Sequence, residues 1–576
     1  MVFTSLNPAR ETYRLWHRFH MPTAGGSKDA VAVSQTVGDN LVSAYTFMLE
    51  HIVLLVWGIT LVASLLISAR RYERTHPNSA LHKEIWHSRS SPYDILKLAF
   101  KHFLNPKSNR WFILLWLFLA LLFVVVKYAV PIIFAPYIKI ANAAPVSLDA
   151  IYVPSRNGTD IFPSTLESNL ENLQIFELEV PSALRAAGGV DGANATFNGN
   201  PPVKVGPPEI LGIDDDGEVS IRIDYGYNIT GLDLGLQNHP DLILNVEGSC
   251  RTEYGWWVGS GTNDDNLPGA FVEEYYVFND SQSQTFVSKY DGGPPIAYFS
   301  VYPPADINAS NITWAAIIST VNRSSYTSGT DPWYRTGPSP IYEANSSSDL
   351  GPFMVLPKRP ALSCWENDVW FYQGNNGSIT TLDSIPGLNL PIGLQTILTD
   401  SLGEPMIVTL GSYLRESALK SSFTALSDEF DANSSTIYTD LQRLVFASYI
   451  ASVNTLTETT LYSSNNSIAN DVRPDGVLLP GTSDFVIFSN DVVTLSVKAL
   501  IIIPTIAVLL WITFILLMLL PMIVGLVESF SHHDEPEPPE EKEESKVSKA
   551  GKAVAGVVTQ EVFGNGSNLS INSANV

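Results

Sequence analysis

Between residues 137 and 496 the chain contains one histidine, His239, in Asn-His-Pro-Asp, and this restricts the chemistry open to that stretch. Zinc needs several imidazole or thiolate ligands, and the chain holds only two cysteines, Cys250 and Cys364, and no H-E-x-x-H. A Ser-His-Asp hydrolase would have to use His239, but no G-x-S-x-G elbow is present and Gly259-Ser-Gly lacks its spacing. His239 reads instead as a turn residue ahead of Pro240. Asp214-Asp-Asp-Gly-Glu gathers the hard oxygen ligands that calcium prefers. Aligned on Gly217, however, it puts Gly212 and Ile223 where the first and last ligands belong, so a turn before a strand is expected. A glycosidase needs only two carboxylates, and none of the many Asp and Glu is singled out. Tyr254, Trp256, Trp257, Tyr275, Tyr276, Trp314, Trp333, Tyr334, Trp365 and Trp370 could stack on sugars, but most are expected in the core. No catalytic, cofactor-binding or metal residue is assigned, and no cofactor is expected.

The same stretch carries eleven Asn-X-Ser/Thr acceptors: Asn157, Asn194, Asn228, Asn279, Asn308, Asn311, Asn322, Asn345, Asn376, Asn433 and Asn465. Such a density implies exposed loops in a secretory compartment. Asn565 and Asn568 lie in the tail, on the opposite side, and are expected to stay empty. In an oxidising compartment Cys250 and Cys364 most simply form one disulfide; two buried free thiols are the alternative. A net charge of −24 over 576 residues argues against nucleic acid, because phosphate binding needs a clustered basic face.

Hydrophobic residues make up 45% of the chain, and their excess is concentrated in three blocks. Each is long enough to cross ~30 Å of hydrocarbon as a helix. The reading is a flexible N-terminal arm over 1–45, membrane helices over 46–69, 111–136 and 497–527, and a large domain over 137–496. Residues 70–110 form a connection with an amphipathic helix opening near Pro92, and 528–576 a disordered acidic tail. Nine Lys/Arg in Arg70–Arg110 place that connection in the cytosol, and hence the arm and the large domain outside it. Localisation follows as a multi-pass protein of the plasma membrane or a secretory-pathway membrane. Lys127, Glu50 and His51 are read as lying near the edges of the spans. The amphipathic helix lies either on the inner leaflet or against the spans.

Within the large domain, Val219, Ile221, Ile223, Tyr225 and Tyr227 alternate with polar residues and read as a strand. Phe271–Phe278, Ile296–Tyr302, Ile312–Val321 and Asp368–Tyr372 are further strands. From about Pro391 the pattern turns helical, with its best case at Ser435–Leu456. Phe485–Phe488 and Val492–Val497 return to the membrane as strands. The fold class expected is a membrane protein with three transmembrane α-helices and a large extracytoplasmic α+β domain. Its first part would be β-rich and sandwich-like, its second part helical.

Cys364-Trp-Glu-Asn-Asp-Val-Trp, the leucine-rich run at 387–396, Leu410-Gly-Ser-Tyr-Leu and Ser417-Ala-Leu-Lys, with the three-span layout, resemble three-span membrane glycoproteins of filamentous fungi. That family has no established activity to carry over. Some of its genes lie beside secondary-metabolite enzymes, which implies an accessory pathway role as one reading. The leading expectation is a non-enzymatic surface protein that contacts the lipid bilayer and binds a wall polysaccharide or a protein partner. A membrane-tethered carbohydrate-active enzyme is the other alternative.

Overall fold

The computed structural model describes residues 8–71, 85, 91–103, 110–155, 166–193, 202–214, 217–263, 270–279, 284–288, 295–302, 310–320, 323–340, 351–426, 429–462 and 468–531. Strands β1 (Arg18–Met21) and β2 (Lys28–Ser34) lead directly into helix α1 (Gln35–Arg71). Helices α2 (Pro92–Phe103) and α3 (Arg110–Ile138) follow, and α3 runs into β3 (Lys139–Ala141) and β4 (Ala143–Pro145). Helix α4 spans Leu166–Ala193.

The strands β5 (Val203–Val205), β6 (Glu209–Ile213), β7 (Val219–Thr230), β8 (Ile243–Glu253), β9 (Trp257–Asn263), β10 (Ala270–Tyr275) and β11 (Gln284–Ser288) come next, with the short helix α5 (Gly231–Leu234) after β7. Then follow β12 (Ile296–Tyr302), β13 (Asn311–Ser319), β14 (Ser324–Ser325), β15 (Thr336–Pro338), β16 (Phe353–Val355), β17 (Ala361–Tyr372) and β18 (Asn375–Gly377). Helices α6 (Ile392–Leu402), α7 (Met406–Leu414) and α8 (Ile437–Glu458), strands β19 (Val486–Phe488) and β20 (Val492–Ser496), and helix α9 (Val497–Ser531) complete the order.

Helices α1, α3 and α9 are long and apolar enough to cross a membrane. All three end on one four-stranded sheet of order β1-β2-β20-β3, so the amino-terminal segment lies at the same end of the helices as the large domain. Here the structure departs from the flexible arm expected over 1–45. Residues 18–34 form two paired strands, with Phe19, Met21, Ala30, Ala32 and Val33 buried. They are also tied to the large domain, since the His20 N–H donates to Gln237 Oε1 (3.2 Å) and the Ser27 hydroxyl to the Gln237 carbonyl. The glycines and polar residues at 23–27 that suggested flexibility make only the turn between β1 and β2. A fragment starting at residue 145 would leave three strands of this sheet, β1, β2 and β3, behind.

The centre of the domain is an antiparallel sheet of order β12-β13-β17-β8-β7-β5, with β18 and β6 at its margins. Period-2 alternation turns Ile221, Ile223, Tyr225, Tyr227 and Ile229 of β7 inward and leaves Arg222, Asp224 and Asn228 exposed. The inner face packs on helices rather than on a second equal sheet, which corrects the sandwich expectation. The Tyr227 and Tyr449 rings meet edge-on at 5.8 Å, and α8 is buried on almost every side. Helix α4, in the first half of the domain, departs from the strands-first reading. Pro181 and Gly188-Gly189 inside it read as breakers, and burial of Ala183, Ala186, Ala187 and Val190 outweighs their propensity cost. Helix α2 packs Ile95 and Ala99 against Trp57, Leu61, Ile113 and Trp116, which favours the packed reading for that face. The acidic tail lies outside the described residues, apart from its first four.

Gly248 of β8 is required where it stands. A Cβ there would come within 2.2 Å of the Tyr225 ring, whose hydroxyl donates to Glu366 Oε2 at 2.5 Å. Gly248→Ala is expected to cost about 1–3 kcal/mol through overpacking, read as a lower melting temperature. An unchanged melting temperature would show that the ring relocates freely.

Candidate functional site

The outer face of the large sheet is half covered. The three-stranded sheet β9-β10-β11 leans on it through Trp256, Tyr275 and Val277, which pack with Ala315, Ile317 and Ala361. The uncovered half is a groove of about 750 Å³ whose lining includes Lys204, Asp224, Asn228, Asn245, Glu247 and Trp365.

Strand register explains which side chains meet there. Tyr302 pairs with Thr313, Thr313 with Trp365, Trp365 with Ser249, and Ser249 with Asp224. Directly paired residues face the same side, so these five form one row across four neighbouring strand pairs. Tyr302 is 51% exposed and Trp365 44% exposed, large values for aromatic residues on a sheet. They stand two strands apart, ~10 Å at ordinary strand spacing. The row continues as polar floor: the Ser249 hydroxyl donates to Asp224 Oδ1 at 2.6 Å, and Arg222 Nε lies 3.6 Å from the same oxygen. At the far end Asn245 Nδ2 donates to Asn228 Oδ1 at 2.8 Å, leaving the Asn228 amide nitrogen free of that bond. The groove therefore offers the Trp365 ring, amide groups and charges of both signs on a preformed sheet, while Tyr302 stands beyond it with its ring against Phe278 at 5.1 Å.

Carboxylates with raised pKa lie elsewhere. Glu366 and Asp368 of β17 are on the inner side of the sheet, where burial, and for Asp368 also the neighbouring Glu366, push both upward. Burial likewise raises Asp331, beneath the start of α8, to about 7 and Asp440, in the first turn of α8, to about 6. A cavity of about 60 Å³ beside Glu179, Tyr413 and Glu458 has room for a few waters only.

Of the ten aromatic residues weighed for sugar stacking, Trp256, Tyr275, Trp314, Trp333, Tyr334 and Trp370 are buried, Trp365 and Tyr276 are exposed, and Tyr254 and Trp257 are half-buried. Trp365 alone among them lines the groove; Tyr302, which shares its row, is not one of the ten. Alternation along β12 and β17 shows which residues share a face, but the β12-β13-β17 neighbour order is needed to bring those two together. His239 is half-buried. Its Nε2–H donates to the Asn389 carbonyl at 3.2 Å, its ring meets Tyr372 edge-on at 5.7 Å, and burial lowers its pKa. These contacts fasten it to the loop before α6. Asp214 sits in the β6–β7 turn, where Gly217 has φ +74° and the Glu218 N–H donates to Asp214 Oδ1 at 2.7 Å; Asp215 and Asp216 lie outside the described residues.

Cys250 and Cys364 form a disulfide between directly opposed residues of β8 and β17. Among the acceptor asparagines, Asn228, Asn279, Asn311, Asn376 and Asn433 are described and all five are exposed. Asn157, Asn194, Asn308, Asn322, Asn345 and Asn465 lie outside the described residues.

Comparison with curated proteins and with solved structures finds no match. A family model does match, from within α4 to β19, and so takes in the large sheet, its groove and helices α6–α8 but none of the three long apolar helices. Through residues 180–487 the chain belongs to the family described as Domain of unknown function (DUF8406).

Proposed function

We propose that this chain is a three-span membrane glycoprotein whose large domain lies outside the cytosol and binds a carbohydrate chain, without hydrolysing it, along the outer sheet face. The observation that carries the reading is the row Tyr302–Thr313–Trp365–Ser249–Asp224, which sets two exposed aromatic residues on one line with polar ones. Aromatic faces suit the C–H faces of sugar rings, and the flanking carboxylates, amides and hydroxyl suit their hydroxyls. The occupant in this reading is a polysaccharide of the cell wall. Asn228, itself an acceptor, closes one end, so the chain would enter over Trp365. Orientation rests on the basic Arg70–Arg110 connection and on the exposed acceptors.

Hydrolysis is the weaker reading. It would need an acid of raised pKa facing the scissile bond, and the buried carboxylates pushed upward face the core behind the groove. The test uses full-length protein in detergent micelles, mixed with insoluble chitin and β-glucan. Retention in the pellet is expected, without release of reducing ends. Trp365→Ala is expected to weaken retention roughly ten-fold or more, the scale of a central aromatic anchor. Equal retention by the variant, or sugar release by the wild type, would remove this function.

A further inference from the structure

Acceptor asparagines surround the open half of the outer sheet face. Asn311 of β13 pairs with Asn367 of β17, and Asn376 of β18 pairs with Phe371. Asn367 and Phe371 alternate in step with Trp365, so both acceptors share its side of the sheet. Asn228 pairs with Asn245, and Asn245 with Val369, which puts it on the same side; it also lines the groove itself. Three of the five described acceptors therefore stand on this one face, and all three are exposed.

Their distances from Trp365 differ. Asn311 is its diagonal neighbour, because the direct partner Asn367 lies two residues along β17. Such neighbours are ~7–8 Å apart, within reach of a large ring. A first sugar on Asn311 comes up against the Trp365 ring, which is 44% exposed. Asn228 lies at the other end of the groove. Its row meets β17 at Val369, four residues from Trp365, so the two stand about 13 Å apart along the strands and about 10 Å across them. A glycan core of a few sugars covers that distance. Asn245, Glu247 and Asn367 lie between and present amides and a carboxylate to sugar hydroxyls. The bond from Asn245 to Asn228 Oδ1 fixes the Asn228 carboxamide and leaves clear Nδ2, the atom that carries a glycan.

We propose that the first occupant of the groove is carbohydrate of the chain itself: N-linked glycans on Asn311 and Asn228 lie across the open face and stack on Trp365, in competition with a wall polysaccharide. This rests on the placement outside the cytosol and the sugar-binding face proposed above. Attachment takes place in the secretory compartment, before the strands pair. Nδ2 bonds to the anomeric carbon of a lipid-diphosphate-linked oligosaccharide, one amide proton leaves, and the lipid diphosphate departs. The attached sugars shield the Trp365 ring from water. Their trimming or displacement opens the face to an external chain.

The test uses full-length protein from a eukaryotic secretory host, in detergent micelles and without added polysaccharide. An endoglycosidase that cuts the glycan core is applied to the folded protein, and release at each site is followed by mass spectrometry of the peptides. Release from Asn311 and Asn228 is expected to be roughly five-fold slower than from Asn433, which is exposed in the turn before α8. Trp365→Ala should bring Asn311 to the Asn433 rate, and Trp365→Phe, which keeps a ring, should preserve the protection. Asn433 is the reference in each variant, so general unfolding divides out. No glycan on Asn311 or Asn228, release as fast as at Asn433, or protection that survives Trp365→Ala would each overturn the proposal. Retention on chitin is read separately, and N228Q/N311Q protein is expected to be retained more than the wild type. Equal retention of the two would overturn the competition. Absence of retention in both would remove the function proposed above, and the release rates alone would then decide whether the glycans occupy the groove.

Discussion

Loss of the Cys250–Cys364 bridge is expected to lower the melting temperature of the large domain by about 10 °C, from a stability loss of about 4 kcal/mol. The bridge joins directly opposed residues of neighbouring central strands, β8 and β17, over a sequence separation of 114 residues. Those intervening residues contain the small β9-β10-β11 sheet, β12 and β13, so the unfolded chain gains much freedom when the link is cut. Trp314 is paired with Cys364 on the next strand and fully buried, one of the twelve tryptophans whose combined fluorescence follows unfolding. C250S/C364S protein in detergent micelles should melt earlier, and untreated protein should respond likewise to reduction. A change below 2 °C in both would show that the sheet holds register without the bridge.

The second large effect concerns pH. Asp331 is raised by burial to about 7 and Asp440 to about 6, against an ordinary aspartate value near 3.8. The Asp331 carboxylate accepts the Trp333 N–H (3.0 Å) and the Ile437 N–H (3.1 Å) at the start of α8, and desolvation outweighs both bonds. Between about pH 4 and 7 the folded domain therefore retains protons that the unfolded chain has released. Stability contributed by these groups is fully present below the unfolded value and is lost as pH rises through the folded values. A tenfold change in a group's proton affinity on folding corresponds to ~1.4 kcal/mol, so the two together amount to several kcal/mol. Glu366 and Asp368 act in the same direction. His239, held neutral by burial, acts oppositely as a single half-buried group. The melting temperature is expected to be higher at pH 5 than at pH 7.5 by roughly 5 °C or more. Glu366→Gln, which removes one buried charge and keeps an oxygen for the Tyr225 hydroxyl, should flatten part of the slope. A melting temperature that rises from pH 5 to pH 7.5 would mean these carboxylates are ionised in the fold.

Much of the local structure is legible because single periodicities decide it. Ile296–Tyr302 reads as a strand and β12 has those ends; Ser435–Leu456 reads as a helix and α8 covers Ile437–Glu458. Helix α4 is hidden because Pro181 and two glycines dominate a local reading, whereas its alanine face gains from packing beside α8. The amino-terminal strands are hidden for a related reason: seven residues at Lys28–Ser34 become a strand only beside β20, almost 460 positions later.

The groove is least legible of all. In the sequence Trp365 is one of ten aromatic residues of equal standing, and Tyr302 is not among them. What distinguishes these two is exposure and a shared row, and both follow from the strand order β12-β13-β17-β8-β7.

By itself the sequence determined three long apolar helices, the alternation of β7 and the helical turn after Pro391. Each depends on composition or on spacing within one segment, where hydrophobicity and backbone geometry act over a few residues. Only the tertiary structure decided which strands become neighbours and which face of the large sheet stays open. Those outcomes depend on contacts between segments tens to hundreds of residues apart. No local period encodes them, because they are set by how all the apolar faces are buried together.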